Sequence, residues 1–62
     1  MRYISFHTKN TTLHIKADDI VATYEDHNNK TIELYVKGKE GPFIVNGTED
    51  NHDAIEWLWE DN

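Results

Sequence analysis

Residues 30–37 constrain the fold more than any other segment of the chain. They read Lys-Thr-Ile-Glu-Leu-Tyr-Val-Lys, so that apolar residues occupy every second position. A period of two in β-branched and aromatic residues is typical of a β-strand with one buried face. Turn-forming residues lie on both sides, at positions 27–29 and 38–41. We therefore predict a central strand with a neighbouring strand on each side.

Two shorter alternating segments, residues 2–8 and 11–16, precede this strand and are predicted to form a hairpin. One register places all their apolar residues on the same face, and such sorting is what fixes a strand register. The opposite pairs in this register are Phe6 with Leu13 and Ile4 with Ile15.

A further strand is predicted over residues 20–25, after a short helical turn at residues 17–19 that breaks the alternation. A three-residue loop leads from it to the central strand, because a two-residue loop would place Glu25 opposite the apolar Ile32. The longer loop gives three opposite pairs: Tyr24 with Ile32, Ala22 with Leu34, and Ile20 with Val36.

The end of the chain predicts one more short strand and a helix. Pro42 donates no backbone hydrogen bond, which favours an edge strand at residues 43–45, with Phe43 opposite Val36. Thr48 or Asp50 can cap a helix over residues 50–60. The apolar stripe of this helix consists of Ala54, Ile55, Leu58 and Trp59. The expected fold is α+β, ββββα: a four-stranded antiparallel meander with one C-terminal helix packed across it, in a single domain of residues 1–62.

Composition and charge exclude several classes of function. The chain has no cysteine, and no apolar run approaches the roughly 20 residues of a membrane span. Without a signal-peptide pattern, the expected location is the cytoplasm. The net charge is −6, all six basic residues lie within the first 39 positions, and seven acidic residues follow from Glu40 onward. A direct nucleic-acid ligand is not expected, because phosphate binding needs a basic surface.

Five segments of the chain form a recognisable series: 17–20 (Ala-Asp-Asp-Ile), the strand through Glu25, 31–34 (Thr-Ile-Glu-Leu), a glycine turn with Ile44-Val45, and the closing acidic helix. Together they resemble the small flagellar FlbD-type proteins and uncharacterised short proteins of phage and Firmicute genomes. This resemblance covers residues 11–59. It implies a small β-rich accessory protein without known enzymatic residues. No site residue is carried over from it.

Residue types used in metal binding and acid–base catalysis occur, but not in a characteristic pattern. His7 and His14 lie diagonally on the outer face of the first hairpin, and a structural zinc site needs four ligands. Two carboxylate pairs, Asp18-Asp19 and Glu25-Asp26, would need a desolvated cleft for acid–base chemistry, and a single sheet with one helix offers little volume for one. We expect no metal, no cofactor and no enzymatic activity.

The predicted helix carries an unusual row of acidic residues. Glu49, Asp53, Glu56 and Glu60 are spaced four, three and four positions apart, so they line one helix face although like charges at this spacing oppose helix formation. Trp57 lies beside the row as an exposed aromatic residue of the kind that anchors protein interfaces. The expected partner is therefore a protein with a basic surface. The predicted partner-binding residues are Glu49, Asp53, Glu56, Trp57 and Glu60.

The outer face of the predicted sheet is also more apolar than a solvent-exposed sheet requires. Tyr35 is expected opposite Ile44 and Val21, with Tyr3 on the same face. These four residues are the predicted oligomer face. Two functions follow. The first is a small acidic inhibitor from a phage or mobile element that docks on a host or defence protein and imitates DNA phosphates. The alternative is a homo-oligomeric scaffold or ligand-sequestering protein, followed by a flagellar accessory role.

Overall fold

Five strands and one α-helix follow one another along residues 2–60, the part of the chain that the computed structural model describes. The strands form two antiparallel sheets, one of order β1-β2 and one of order β3-β4-β5. The elements are β1 (Tyr3–His7), β2 (Thr12–Lys16), a 3₁₀ turn (Ala17–Asp19), β3 (Ile20–Asp26), β4 (Thr31–Val36), β5 (Phe43–Asn46) and α1 (Glu49–Glu60).

The α+β class and the C-terminal helix agree with the prediction, but the single four-stranded meander is wrong. There are five strands in the described residues, and β2 and β3 are consecutive strands that belong to different sheets. The cause is the 3₁₀ turn after Lys16. Ala17 is buried there, and its N–H donates to the carbonyl of Arg2 at 2.9 Å, one position beyond the Tyr3–Lys16 pair of the hairpin. The 3₁₀ turn then directs the chain into β3.

The predicted register of the first hairpin is confirmed. Phe6 pairs with Leu13 and Ile4 pairs with Ile15. The turn is closed by Thr8, whose N–H donates to the carbonyl of Thr11 at 2.8 Å. From β1, Ile4 and Phe6 therefore reach the core, and Phe6 is fully buried.

The predicted register between β3 and β4 is correct at one end and wrong at the other. Ile20 pairs with Val36 as expected, but an irregularity between Ile20 and Ala22 shifts the rest of the strand by one residue. Because successive residues of a strand face opposite sides, this bulge reverses every facing beyond it. The predicted pairs of Tyr24 with Ile32 and Ala22 with Leu34 are wrong. The observed pairs are Glu25 with Ile32, Thr23 with Leu34 and Ala22 with Tyr35.

The turns on either side of β4 are longer than predicted. Asp26 pairs with Thr31, which leaves four loop residues after β3, and Lys30 adopts a positive φ of 58°. After β4, both Gly38 and Gly41 have positive φ, a conformation that glycine adopts without a steric penalty. As a result, the observed register between β4 and β5 differs from the predicted one by two residues, and Phe43 lies opposite Leu34 rather than Val36.

Both sheets and the helix contribute to one hydrophobic core. From α1, Ile55 and Leu58 are buried, Ala54 is partly buried, and Trp59 is 44% exposed at the margin of the predicted stripe. The helix also contacts β1, which lies beside β5. The buried apolar residues are Ile4, Phe6, Ile15, Ala17, Ile20, Ile32, Leu34, Val45, Ile55 and Leu58.

A fully buried polar residue fixes the start of the helix against both sheets. Thr48 is the cap, with its hydroxyl accepting from the N–H of Asn51 at 3.3 Å and its carbonyl from the N–H of His52 at 2.9 Å. The side-chain amide of Asn51 donates to the carbonyls of His7 and Asn46, both at 2.8 Å, and its oxygen accepts from the N–H of His7 at 2.9 Å. Asn51 therefore joins the ends of β1 and β5, one from each sheet, to α1.

Candidate binding groove beside the C-terminal helix

The acidic row of Glu49, Asp53, Glu56 and Glu60 lies on α1 as predicted from its spacing. All four residues fall within the observed helix, and all four are exposed. With a rise of about 1.5 Å per residue, the row extends over roughly 16 Å of the helix axis. The self-repulsion of these carboxylates is therefore retained in the folded protein.

A groove runs between α1 and the end of β3 and adds a fifth carboxylate to this surface. Its volume is about 580 Å³. Four of its lining residues are acidic, three from the helix and Glu25 from β3, and the described lining includes no lysine or arginine. We call this feature the acidic groove. Its lining residues are Glu25, His52, Asp53, Ile55, Glu56, Trp59 and Glu60.

Glu25 reaches the groove because of the bulge in β3. The bulge turns Thr23 and Glu25 toward the helix and Tyr24 away from it, so that Tyr24 is 62% exposed. The indole N–H of Trp59 donates to the hydroxyl of Thr23 at 3.0 Å. This hydrogen bond holds one edge of the indole against β3 and places the ring as an aromatic wall of the groove.

Three side chains form a cluster that we call the histidine clamp: Glu25, His27 and His52. Two of them, Glu25 and His52, line the groove. The Nδ1 atom of His52 hydrogen-bonds the carboxylate of Glu25, and the two side chains are 32% and 35% exposed. The rings of His27 and His52 are stacked, with centroids 5.9 Å apart and an interplanar angle of 10°. The clamp therefore joins the end of β3 and the loop after it to the first turns of α1.

Trp57, the predicted anchor, lies on the other side of the acidic row. Successive residues of an α-helix are rotated by about 100° about the helix axis. Trp57 and Trp59 therefore lie on opposite sides of the acidic row, each rotated from it by roughly 80° about that axis. Trp57 is 45% exposed, and the guanidinium carbon of Arg2 lies 4.6 Å from the centroid of one of its rings. With Tyr3, Ile4, Ser5 and Ala54 it lines a second, smaller groove of about 240 Å³. Trp57 thus borders the predicted site without lining the acidic groove.

The predicted oligomer face is divided between two sheets. Tyr3 belongs to β1 and lies beside Trp57, whereas Val21, Tyr35 and Ile44 belong to the three-stranded sheet. The expected opposition of Tyr35 to Ile44 and Val21 is wrong, because Ile44 pairs with Glu33 and Ala22 pairs with Tyr35. Val21 and Ile44 are nevertheless 62% and 61% exposed.

Aromatic contacts order the outer face of that sheet. The rings of Tyr24 and Tyr35 meet edge to face with centroids 5.5 Å apart, and the hydroxyl of Tyr35 donates to Glu33 at 3.2 Å. The hydrogen bond to the Glu33 carboxylate raises the pKa of Tyr35 above its usual range, because the bond stabilises the protonated phenol.

The two histidines of the first hairpin have local partners on neighbouring strands. His14 Nδ1 lies 2.8 Å from the hydroxyl of Ser5, and His7 Nδ1 lies 3.3 Å from that of Thr12. Across residues 2–60, no group of three or more His, Cys, Asp or Glu side chains is placed to hold a metal ion. No helix in this part of the chain is both long and apolar enough to cross a membrane.

Sequence reasoning missed Glu25, His52 and Trp59 as groove residues. The strand alternation predicts Glu25 on the face away from the helix, because the bulge that turns it inward has no evident sequence signal. The helical periodicity places Trp59 in the apolar stripe, although its indole N–H requires a polar partner when it is partly buried. That requirement is the signal that could have placed Trp59 at the edge of the core.

Comparison with protein-family models, curated proteins and solved structures finds no match to this chain. The resemblance to FlbD-type proteins therefore stays a prediction.

Proposed function

We propose that this protein is a non-catalytic binding protein that docks on a basic surface of another protein through the acidic groove. The observation that carries the proposal is the composition of the groove. It combines four carboxylates from two elements with an aromatic wall, without a lysine or arginine in the described lining.

The groove suits a cationic side chain, above all arginine. A guanidinium group forms paired hydrogen bonds with carboxylates and stacks on aromatic rings. Trp59 is 44% exposed where it lines the groove, next to Glu56 and Glu60. Carboxylates on both walls, Glu25 on β3 and the row on α1, allow one cation to be contacted from two sides.

The acidic row extends the attraction beyond the groove. Its four charges average one per roughly 5.5 Å along the helix axis, compared with one per about 3.4 Å along a DNA strand. Such a row presents a sparse line of negative charge to a cleft that normally binds phosphates. Charges of this kind raise association rates with a basic partner.

The concrete form that we propose is an inhibitor encoded by a phage or a mobile element. It would act in the host cytoplasm by occupying the basic cleft of a host or defence protein in place of DNA. The chain's net charge of −6, with acids concentrated in its second half, supports such a role.

A titration with a synthetic arginine-rich peptide, followed by tryptophan fluorescence, tests the proposal. Glu56→Gln with Glu60→Gln should weaken binding about 5- to 30-fold, from the loss of two charge-assisted contacts at the groove. The matched control is Asp18→Asn with Glu40→Gln, which removes two negative charges from exposed positions outside the groove. Equal weakening by both double variants would show attraction to overall charge and would contradict a groove-based site.

A second candidate function, a homo-oligomeric scaffold, is favoured by one observation. Val21, Tyr24 and Ile44 expose more than 60% of their surface on the three-stranded sheet. Native mass spectrometry separates the two functions, because the scaffold requires a closed oligomer and the docking protein acts as a monomer.

A further inference from the structure

We propose that the histidine clamp makes the acidic groove a pH-regulated docking site that releases its basic partner on mild acidification. This inference rests on the proposed function, because it concerns the same groove. It adds regulation by pH, which arises from three contacting side chains on β3, the following loop and α1.

The hydrogen bond to Glu25 determines where His52 carries its proton at neutral pH. An ionised carboxylate can only accept a hydrogen bond, so the Nδ1 atom of His52 must donate. The Nε2 atom is then the unprotonated nitrogen. It lies against Gly47, close enough that a Cβ atom on that residue would lie 3.2 Å away. A second proton therefore arrives at Nε2, on the side of the ring away from Glu25.

Acidification adds positive charge directly at the groove. Histidine is the side chain whose charge ordinarily changes between about pH 5 and 8. Protonation of His52 converts its contact with Glu25 into an ion pair, and this neutralises one of the four carboxylates in the lining. A basic partner then loses attraction at Glu25 and meets a new positive charge beside it.

The stacked ring of His27 increases the effect. When both rings are protonated, two positive charges lie about 6 Å apart, one on His52 in the groove lining and one on the adjoining ring of His27. Asp26 adjoins His27 in sequence and attracts its positive charge, but this attraction persists in the unfolded chain. The stack with His52 exists in the folded protein alone, so its repulsion is a property of the fold.

Other charged groups also lie near the clamp. Asp53, Glu56 and Glu60 line the same groove from α1, and Lys30 lies in the loop after β3, where its carbonyl accepts from the N–H of Gly47 at 2.7 Å. Carboxylic acids and lysines ordinarily titrate near pH 4 and above pH 10, respectively. Imidazole is the side-chain group whose ordinary range of charge change covers pH 7.5 to 5.5.

The test measures the affinity for a synthetic arginine-rich peptide at pH 7.5 and pH 5.5, at the same ionic strength. The wild-type protein should bind about 3- to 10-fold more weakly at pH 5.5, because one or two positive charges have been added within contact range. His52→Gln should change by less than about 2-fold. His14→Gln, an exposed substitution on β2, should keep the full wild-type pH dependence.

His27→Asn supplies a second readout that does not depend on the peptide. This substitution removes the repulsion within the stack and leaves the His52–Glu25 pair in place. The thermal midpoint of the wild type, relative to that of His27→Asn, should therefore fall as the pH is lowered from 7.5 to 5.5.

Two results would overturn the inference. One is an equal pH dependence of peptide binding in the wild type and His52→Gln. The other is a thermal midpoint of the wild type that, relative to that of His27→Asn, does not fall between pH 7.5 and pH 5.5. Failure of the peptide to bind at pH 7.5 would instead contradict the proposed function itself, so the two failures are distinguishable.

Discussion

Asn51 is the single residue on which the joining of the two sheets depends most. It is fully buried, and its side chain makes three hydrogen bonds to backbone groups of His7 and Asn46. A buried asparagine in a helix is unfavourable unless its polar atoms are paired. In sequence it looked like one more polar residue of an acidic helix start, because its partners are 44 and five residues away.

Asn51→Ala should destabilise the protein by about 2–4 kcal/mol, because it leaves buried backbone groups on β1 and β5 without partners. Urea unfolding measures this loss. Asn51→Asp is the informative comparison: its carboxylate still accepts from the N–H of His7 but no longer donates to the two carbonyls. A stability within about 0.5 kcal/mol of wild type for Asn51→Ala, the range of neutral surface changes, would contradict this role.

Asp26 gives a pH-dependent prediction at the same scale. Its carboxylate accepts from the N–H groups of Asn28 and Asn29 at 3.0 and 3.1 Å and from the side chain of Asn29 at 2.9 Å. The backbone and side-chain bonds from Asn29 lower the pKa of Asp26 below 3.8. A lowered pKa gives stability that is present above the unfolded value and is lost as the pH falls through the folded one.

The stability difference between the wild type and Asp26→Asn should accordingly be constant above about pH 5 and shrink below pH 3.8. Chemical denaturation at a series of pH values measures it. A difference that does not change down to pH 2.5 would show that the carboxylate does not stabilise the turn.

At the scale of elements, the bulge in β3 decides which residues form the groove. The alternating patterns correctly predicted the first hairpin, the central strand and the helix, because each of these follows a single period. The bulge inserts Val21 between the pairs Ile20–Val36 and Ala22–Tyr35. Such an insertion changes the period within one strand, and nothing in residues 20–25 marks it. Thr23 and Glu25 were therefore assigned to the wrong face.

Deletion of Val21 should leave a folded protein with the groove intact. The remaining pairs, Ile20 with Val36 and Ala22 with Tyr35, would then follow one another in a regular ladder. Deletion of Tyr24 is the control, because it makes Thr23 and Glu25 adjacent and forces one of them away from α1. Thermal unfolding and tryptophan fluorescence compare the two. Similar damage from both deletions would contradict the assigned role of the bulge.

At the scale of the whole molecule, two small sheets and one helix share one core. Leu34 is fully buried in β4, the central strand of its sheet, between Thr23 of β3 and Phe43 of β5. A chain of 62 residues has little stability to lose, since domains of this size bury only about 60% of their unfolded surface. The sequence predicted which residues are apolar and inward-facing in β4, but not the division into two sheets, which depends on the 3₁₀ turn after β2.

Leu34→Ala should cost about 2–5 kcal/mol, the usual range for a truncated core leucine, and should unfold much of the protein. Differential scanning calorimetry measures the effect. Ile44→Ala, at a residue that is 61% exposed, is the matched control and should have little effect. Equal thermal midpoints for the wild type and Leu34→Ala would contradict the central position of β4.

The salt dependence of association most directly tests whether the acidic groove is a docking surface. The measurement compares the wild type with Glu56→Gln/Glu60→Gln in stability and in the association rate with the arginine-rich peptide. Neutralisation should stabilise the helix by about 0.2–0.5 kcal/mol for each relieved repulsive pair. We predict that the double variant is more stable yet associates more slowly, with a weaker dependence on salt. A more stable variant that keeps the wild-type rate and salt dependence would contradict the account and reduce the acidic row to a solvent-exposed helix face.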